Sequence, residues 1–351
     1  MLTAHQCHHT ILAHLLEPFF VELRLVARFC DPILGNADNN EVQVFVPDLH
    51  LVSDEASLRY SYSFNHRHAF VVMMNRLLRA REDLEAEEHS LQCIQLGDLY
   101  DFWREGRDDP TSIMDDHSTL LAYLYRHPDG LRAKVLTGNH DAAMAADPSF
   151  FRRLFLGGES PFGLAMHGDW FDPLETALPD WLQAFFVQIA GKIPKEGSYD
   201  IGELQTLIAD HQPDAATLVN RIRIDGAAKV GSLRQVNTPN SSPPKIHNVS
   251  LRGEGDEHPL LHRAVELVHT CAQREDLHEA WPKVRLVVIG HTHRAQISVD
   301  RITKPDHPVV IMDCGAWIEK CKDSRGRVQR NAQLGVVCGD DCRIYQLVVP
   351  G

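Results

Sequence analysis

No Cys-x-x-Cys pair occurs in this chain, and its 8 cysteines are scattered. A chain of 351 residues can bury a large core without disulfide staples, so free thiols in a reducing compartment are expected. Cys314, Cys321, Cys338 and Cys342 are weighed as a zinc site and set aside, because their spacing matches no common zinc pattern. An apolar run of bilayer length is also missing. The richest stretch, 11–30, carries His14, Glu17, Pro18, Glu22, Arg24 and Arg28. The start, MLTAHQCHH, lacks the positive segment of a secretory signal, and a cytoplasmic location is expected by default. There is no long basic tract, and 35 Lys+Arg against 48 Asp+Glu leave a formal charge of −13. That balance weighs against a nucleic-acid coat or a binder of anionic membranes. It does not weigh against a phosphate substrate, because cations held in a site reverse the local sign. With 22 Gly and 19 Pro in no period, and 44% apolar residues, collagen-like and disordered classes are excluded.

What is present is an alternation of strand-like and helix-like runs, the pattern of an α/β chain. Helices are expected over 12–28, 68–84 and 112–126. Strands are expected over 42–47, 91–96, 132–137, 162–167, 284–289, 295–299, 308–313 and 343–349. Strand after strand stops where polar residues begin, and in open α/β sheets ligands sit at the carboxyl ends of strands. The stretch from 168 to 289 differs: helical runs over 178–191, 200–210, 214–224 and 258–277 surround a loop-like segment, 236–247. It is read as an insertion or cap. Trp181, Leu182, Phe185, Phe186 and Ile189 offer it an apolar face, and Arg221, Arg223, Lys229 and Arg234 offer cations. The expected organisation is an N-terminal helical extension (1–40), a core in two parts (41–175 and 283–351) and the cap (176–282).

Histidine is abundant, 21 of 351 residues, so spacing must discriminate. Five blocks stand at strand ends: Asp48-x-His50, Gly97-Asp98-x-x-Asp101, Gly138-Asn139-His140-Asp141, His167-Gly168 and Gly290-His291-x-His293. Asp48 and His50 share a face of an extended segment, as do His291 and His293. Imidazole, carboxylate and amide oxygen together suit manganese, iron or zinc and not calcium. Two ions need roughly seven protein ligands with one bridging carboxylate. Asp48, His50, Asp98, Asn139, His167, His291 and His293 make that number. A string such as Gly-Asn-His-Asp arises by chance in about 0.002 of random chains this long, which makes it the most specific block.

These five blocks resemble the calcineurin-like metallophosphoesterase superfamily over roughly 42–175 and 284–349. The resemblance implies a four-layer αββα sandwich of two mixed sheets, here with a helical insertion. It implies that Asp48, His50 and His293 hold a first metal, that Asn139, His167 and His291 hold a second, and that Asp98 bridges them. The two divalent ions are expected to be manganese, with iron or zinc as alternatives. His140 is implied as a non-ligand beside the substrate phosphate, an electrophile or proton donor oriented by Asp101. The implied reaction is hydrolysis of a phosphomonoester or phosphodiester by a hydroxide held between the metals. The segment Asp313-Cys314-Gly315-Ala316-Trp317 is similar to the strand-end Gly-Ser-Trp of such folds.

Gly97-Asp98-Leu99-Tyr100-Asp101-Phe102-Trp103 and His167-Gly168-Asp169-Trp170-Phe171-Asp172 look like the branch of UDP-2,3-diacylglucosamine pyrophosphate hydrolases of lipid A synthesis. That branch has Arg at the place of His140, so a sister group with another phosphate ester is the leading expectation. A membrane would then matter only through a lipid substrate. Two rivals remain. One is a protein-binding scaffold on the same fold that has lost catalysis, which would normally lack ligands. The other is a nuclease, which the acidic balance disfavours.

Overall fold

The computed structural model of the chain describes residues 2–169 apart from 17–21, 35–39, 60–66, 106–108 and 159–160, and residues 279–348 apart from 301–307, 318–320, 323–327 and 330–331. Between these parts it describes only 247–248, 268–270 and 273. The expected cap, with its helical runs, its apolar face from Trp181 to Ile189 and its four cations, therefore lies almost wholly outside the described residues. Within the segment expected as a loop, His247 belongs to a short strand.

The chain begins with α1 (Ala4–Leu15), β1 (Glu22–Cys30), β2 (Glu41–Val46), α2 (Asp54–Arg59), α3 (Arg67–Ala86) and β3 (Ser90–Gln95). It continues with α4 (Phe102–Glu105), α5 (Thr111–Asp116), α6 (Ser118–Leu121), β4 (Lys134–Leu136), β5 (Phe150–Phe151), β6 (Arg153–Leu156) and β7 (Gly163–Met166). The later strands are β8 (His247–Asn248), β9 (Leu286–Ile289), β10 (Gln296–Asp300), β11 (Val309–Asp313), β12 (Cys321–Lys322), β13 (Val328–Gln329), β14 (Gln333–Cys338) and β15 (Asp341–Val348). A first sheet runs β1-β15-β14-β2-β3-β4-β5, and a second runs β6-β7-β9-β11-β10-β8. Both are mixed: β2, β3, β4 and β5 are parallel in the first, and β7, β9 and β11 in the second, with antiparallel strands beside them.

Alternation along the strands builds three apolar layers. Phe45, Ile94 and Val337 of the first sheet share one buried cluster with Ala165, Leu286, Val288 and Met312 of the second, so the sheets face each other. Val42, Val44 and Val46 turn the other way and join Ile11 of α1 and Phe70, Met73 and Leu77 of α3. The far face of the second sheet, with Leu164, Val287 and Ile311, is covered by Val268 and Trp281. Each fully buried aliphatic side chain contributes about 1.5–3 kcal/mol. Cys338 lies on the helical side while Cys314 and Cys342 lie between the sheets, so these three thiols cannot converge on one ion.

Three local expectations are corrected. The helix expected over 12–28 is the end of α1 followed by β1, an edge strand paired antiparallel with β15. A bulge between Leu25 and Ala27 breaks its strict alternation, and that break hides the strand in the sequence. Residues 112–126 form α5, α6 and a π-helical turn over Ala122–Arg126 rather than one helix. β14, assigned to no element by the sequence reading, lies fully buried between β15 and β2.

α1 is started by a capping box, in which the Thr3 hydroxyl accepts from Gln6 N–H and the Gln6 side chain accepts from Thr3 N–H. It buries His8 over β15, where His8 Nε2 sits 3.1 Å from the Asp341 carbonyl and Nδ1 sits 3.4 Å from the Tyr345 hydroxyl. Burial first, and then the Arg343 guanidinium, push His8 down to about 4. The unfolded chain therefore binds the extra proton between its ordinary 6.5 and that value. Stability from this group is complete above the ordinary pKa and is lost as pH falls through that window. The full loss is about 3 kcal/mol. Urea unfolding of wild type and His8→Gln at neutral pH and near pH 4.5 is expected to show a smaller acid loss in the variant. Equal losses would contradict the buried neutral imidazole.

Candidate metal centre

The parallel strands of both sheets deliver their carboxyl ends to one rim. Asp48 and His50 follow β2, Asp98 and Asp101 follow β3, and Asn139 and His140 follow β4. From the second sheet His167 follows β7, and His291 and His293 follow β9. The loops are tied to one another by backbone bonds. Leu49 N–H and His50 N–H donate to the Asp98 carbonyl at 3.1 and 2.9 Å, and Leu51 N–H donates to the Leu99 carbonyl at 2.9 Å. The second sheet is anchored to the first by His291 N–H, which donates to the Asp48 carboxylate at 3.0 Å.

All seven side chains expected as ligands come together. Asp48, His50 and His293 form one group: His293 Nε2 is 3.1 Å from Asp48 Oδ2 and 3.0 Å from His50 Nε2. Asn139, His167 and His291 form another: His167 Nε2 is 3.1 Å from Asn139 Oδ1 and 3.2 Å from His291 Nδ1. Asp98 stands between the groups, with Oδ2 3.6 Å from His50 Nε2 and 3.3 Å from His167 Nε2. The His167 ring is oriented by its Nδ1, 2.9 Å from the Leu96 carbonyl, which leaves Nε2 facing the centre.

His140 and Asp101, expected to act as a pair, are adjacent. His140 Nδ1 lies 2.9 Å from Asp101 Oδ1, and His140 N–H donates to Asp98 Oδ1 at 2.9 Å. Asp101 Oδ2 is 2.7 Å from Arg104 Nη1 and 3.2 Å from His50 Nδ1, so one carboxylate serves both histidines. The Trp103 ring stacks on His140 at a centroid distance of 4.0 Å. His140 also lies within ligand distance of His50 and Asp98.

The backbone is bent to make this arrangement. His50, Asp98, His291 and His293 have φ of 48°, 49°, 62° and 57°, the left-handed region that costs a non-glycine residue about 1–2 kcal/mol. Four candidate ligands held in that region mark a site the surrounding structure over-determines. Gly97 has φ 94°, and a Cβ there would meet His167 Nδ1 at 2.8 Å. At Gly290 a Cβ would meet Asp48 Oδ1 at 2.1 Å, so a side chain at either position would displace a candidate ligand.

Electrostatics supply the chemical test of fit. Asp48, Asp98 and Asp101 are almost completely buried. Burial raises the cost of charging each. Against it, His167 and His293 hold Asp48 below its ordinary pKa, His167 and His140 do so for Asp98, and Arg104 and His140 for Asp101. Burial likewise opposes charge on His167 and His140, yet the neighbouring carboxylates keep both above the ordinary histidine value. His50 differs: burial pushes it down to about 4. The buried carboxylates thus favour positive charge on His167 and His140 beside them, a charge-balancing role that two divalent cations fill more strongly. Mixed histidine, carboxylate and amide donors fit manganese, iron or zinc.

Sequence reasoning assigned no role to three neighbours. Asp141 accepts from Gly138 N–H at 2.6 Å and Leu99 N–H at 2.8 Å, and ties the β3 and β4 loops together. Burial and the Asp98 charge push it up to about 7. Its signal was the fourth letter of the Gly-Asn-His-Asp string. Arg104 carried no signal. Asp313, at the end of β11, carried the same signal as the other strand ends. Among the described residues no helix is long and apolar enough to cross a membrane. No known family model and no curated protein matches the chain.

Proposed function

We propose that this chain is a dinuclear-metal phosphoesterase of the calcineurin-like metallophosphoesterase superfamily, hydrolysing a phosphomonoester or phosphodiester. The observation that carries the reading is the shared Asp98 carboxylate, 3.6 Å from one histidine of the first ligand group and 3.3 Å from one of the second. Two mixed sheets packed face to face, with helices over the first, are consistent with the four-layer sandwich of that superfamily.

Asp48, His50 and His293 would hold one ion, Asn139, His167 and His291 the other, and Asp98 both. When bound, two divalent cations neutralise a phosphate ester and lower the pKa of water towards neutrality. The chain's own groups do the rest. His140, with Nδ1 fixed by Asp101 and its ring plane set by Trp103, presents Nε2 to the phosphate. There it donates a hydrogen bond to a phosphoryl oxygen or a proton to the leaving oxygen. Arg104 and His50 hold Asp101 in the orientation that serves His140.

The test is manganese-dependent hydrolysis of p-nitrophenyl phosphate and bis-p-nitrophenyl phosphate by the purified chain, followed by a panel of phosphate esters that includes UDP-sugar lipids. Turnover that appears with manganese and disappears with a chelator is expected. Hydrolysis of none of these with any of the three metals would contradict the proposal.

A further inference from the structure

Asp313 ends β11 with no exposed surface, and both of its carboxyl oxygens are engaged. Oδ2 bonds the Thr292 hydroxyl, and Oδ1 accepts from Gly315 N–H at 3.2 Å. Thr292 stands between His291 and His293, the two residues assigned to different ions and both left-handed in φ. Its hydroxyl also accepts from Arg294 N–H at 3.2 Å, and its own N–H donates to the Gly290 carbonyl at 2.7 Å. The hydroxyl therefore clasps the tight turn from inside. The loop that follows Asp313 reaches Asp48: Ala316 pairs with Asp48 in a β-bridge, and Trp317 N–H donates to the Asp48 carbonyl at 2.8 Å. Released from this clasp, His291 and His293 can relax towards the ordinary right-handed region and carry both imidazoles away.

We propose that Thr292 and Asp313 form a positioning latch that sets His291 and His293 for the two metal sites at once, an inference that rests on the dinuclear reading. Neither residue belongs to the candidate ligand groups; both would act through the histidines. Supporting groups of this kind change metal affinity about 10- to 100-fold.

The test titrates manganese into the metal-free full-length protein by calorimetry and follows thermal unfolding of the same metal-free samples. In Thr292→Val, which keeps the volume and removes the hydroxyl, both manganese dissociation constants are expected to rise about 10- to 100-fold. The metal-free melting temperature is expected to fall by only a few degrees, because the variant folds but leaves the buried Asp313 Oδ2 without the Thr292 hydroxyl. Thr292→Ser is expected to restore wild-type affinity to within about threefold, because it returns the hydroxyl. If Thr292→Val fails to fold, Thr292→Ala introduces no bulk and reads the same quantity. Wild-type affinity in the folded variant overturns the latch. So does a loss of affinity that Ser does not restore and that follows a loss of metal-free stability, since it assigns Thr292 to folding. Wild-type protein that takes up no manganese overturns the dinuclear reading, and the latch with it. Two tightly bound ions in wild type and variant alike overturn the latch alone.

Discussion

Asp98→Ala is expected to lose both metal ions. The carboxylate lies between the two ligand groups; Asp48 also spans them, but it meets His167 at 3.8 Å on Nδ1, the nitrogen turned to the Leu96 carbonyl, whereas Asp98 meets Nε2, the nitrogen that faces the centre. Losing two ions at a phosphoryl group removes several kcal/mol of charge stabilisation, so turnover should fall on the order of 10³-fold or more. The metal-free fold should survive. Removing the carboxylate strands the His140 N–H that donates to it, at a cost of about 1–3 kcal/mol, and leaves His167 without one of the charges that hold its proton, a loss the imidazole accommodates by releasing that proton and becoming neutral. Elemental analysis after gentle purification reads the metal content, and circular dichroism reads the fold. A folded variant that retains one ion at full occupancy would contradict the bridging role.

His140→Ala is expected to do the opposite: keep both ions and lose rate. Its Nδ1 is committed to Asp101 and its ring to Trp103, so the remaining Nε2 is aimed rather than needed to close a ligand set. Loss of a positioned proton donor costs about 10²–10⁴-fold in turnover. The split is informative because His140 also lies within ligand distance of His50 and Asp98. Metal loss in His140→Ala equal to that in Asp98→Ala would reassign His140 as a ligand.

The strand ends were legible in the sequence because each is a short apolar run stopped abruptly by polar residues. Val42–Val46 gives way to Asp48, Leu286–Ile289 to His291. The parallel order of β2, β3 and β4 and of β7, β9 and β11 then sends those ends the same way, which periodicity alone does not say. What stayed hidden depends on partners distant in sequence. β1 is a strand because β15 meets it, with Cys30 opposite Asp341, 311 residues further on, and its bulge erased the alternation. β14 carries Gly335 within its apolar run, and a Cβ there would meet the Cys314 sulfur at 2.5 Å. The bond from Thr292 to Asp313 was unreadable for the same reason. Each residue is ordinary alone, and only the adjacency of β9 and β11 joins them. The positive φ of His50, Asp98, His291 and His293 was not read from the sequence either, since Asp and His adopt it only where contacts distant in sequence hold the turn.

The most direct measurement is anomalous diffraction at the manganese absorption edge from crystals grown with manganese. Two peaks about 3.5–4 Å apart are expected, one on each side of the Asp98 carboxylate. One should lie against Asp48, His50 and His293, the other against Asn139, His167 and His291. A single peak, peaks elsewhere in the chain, or no peak at saturating manganese would contradict the dinuclear site.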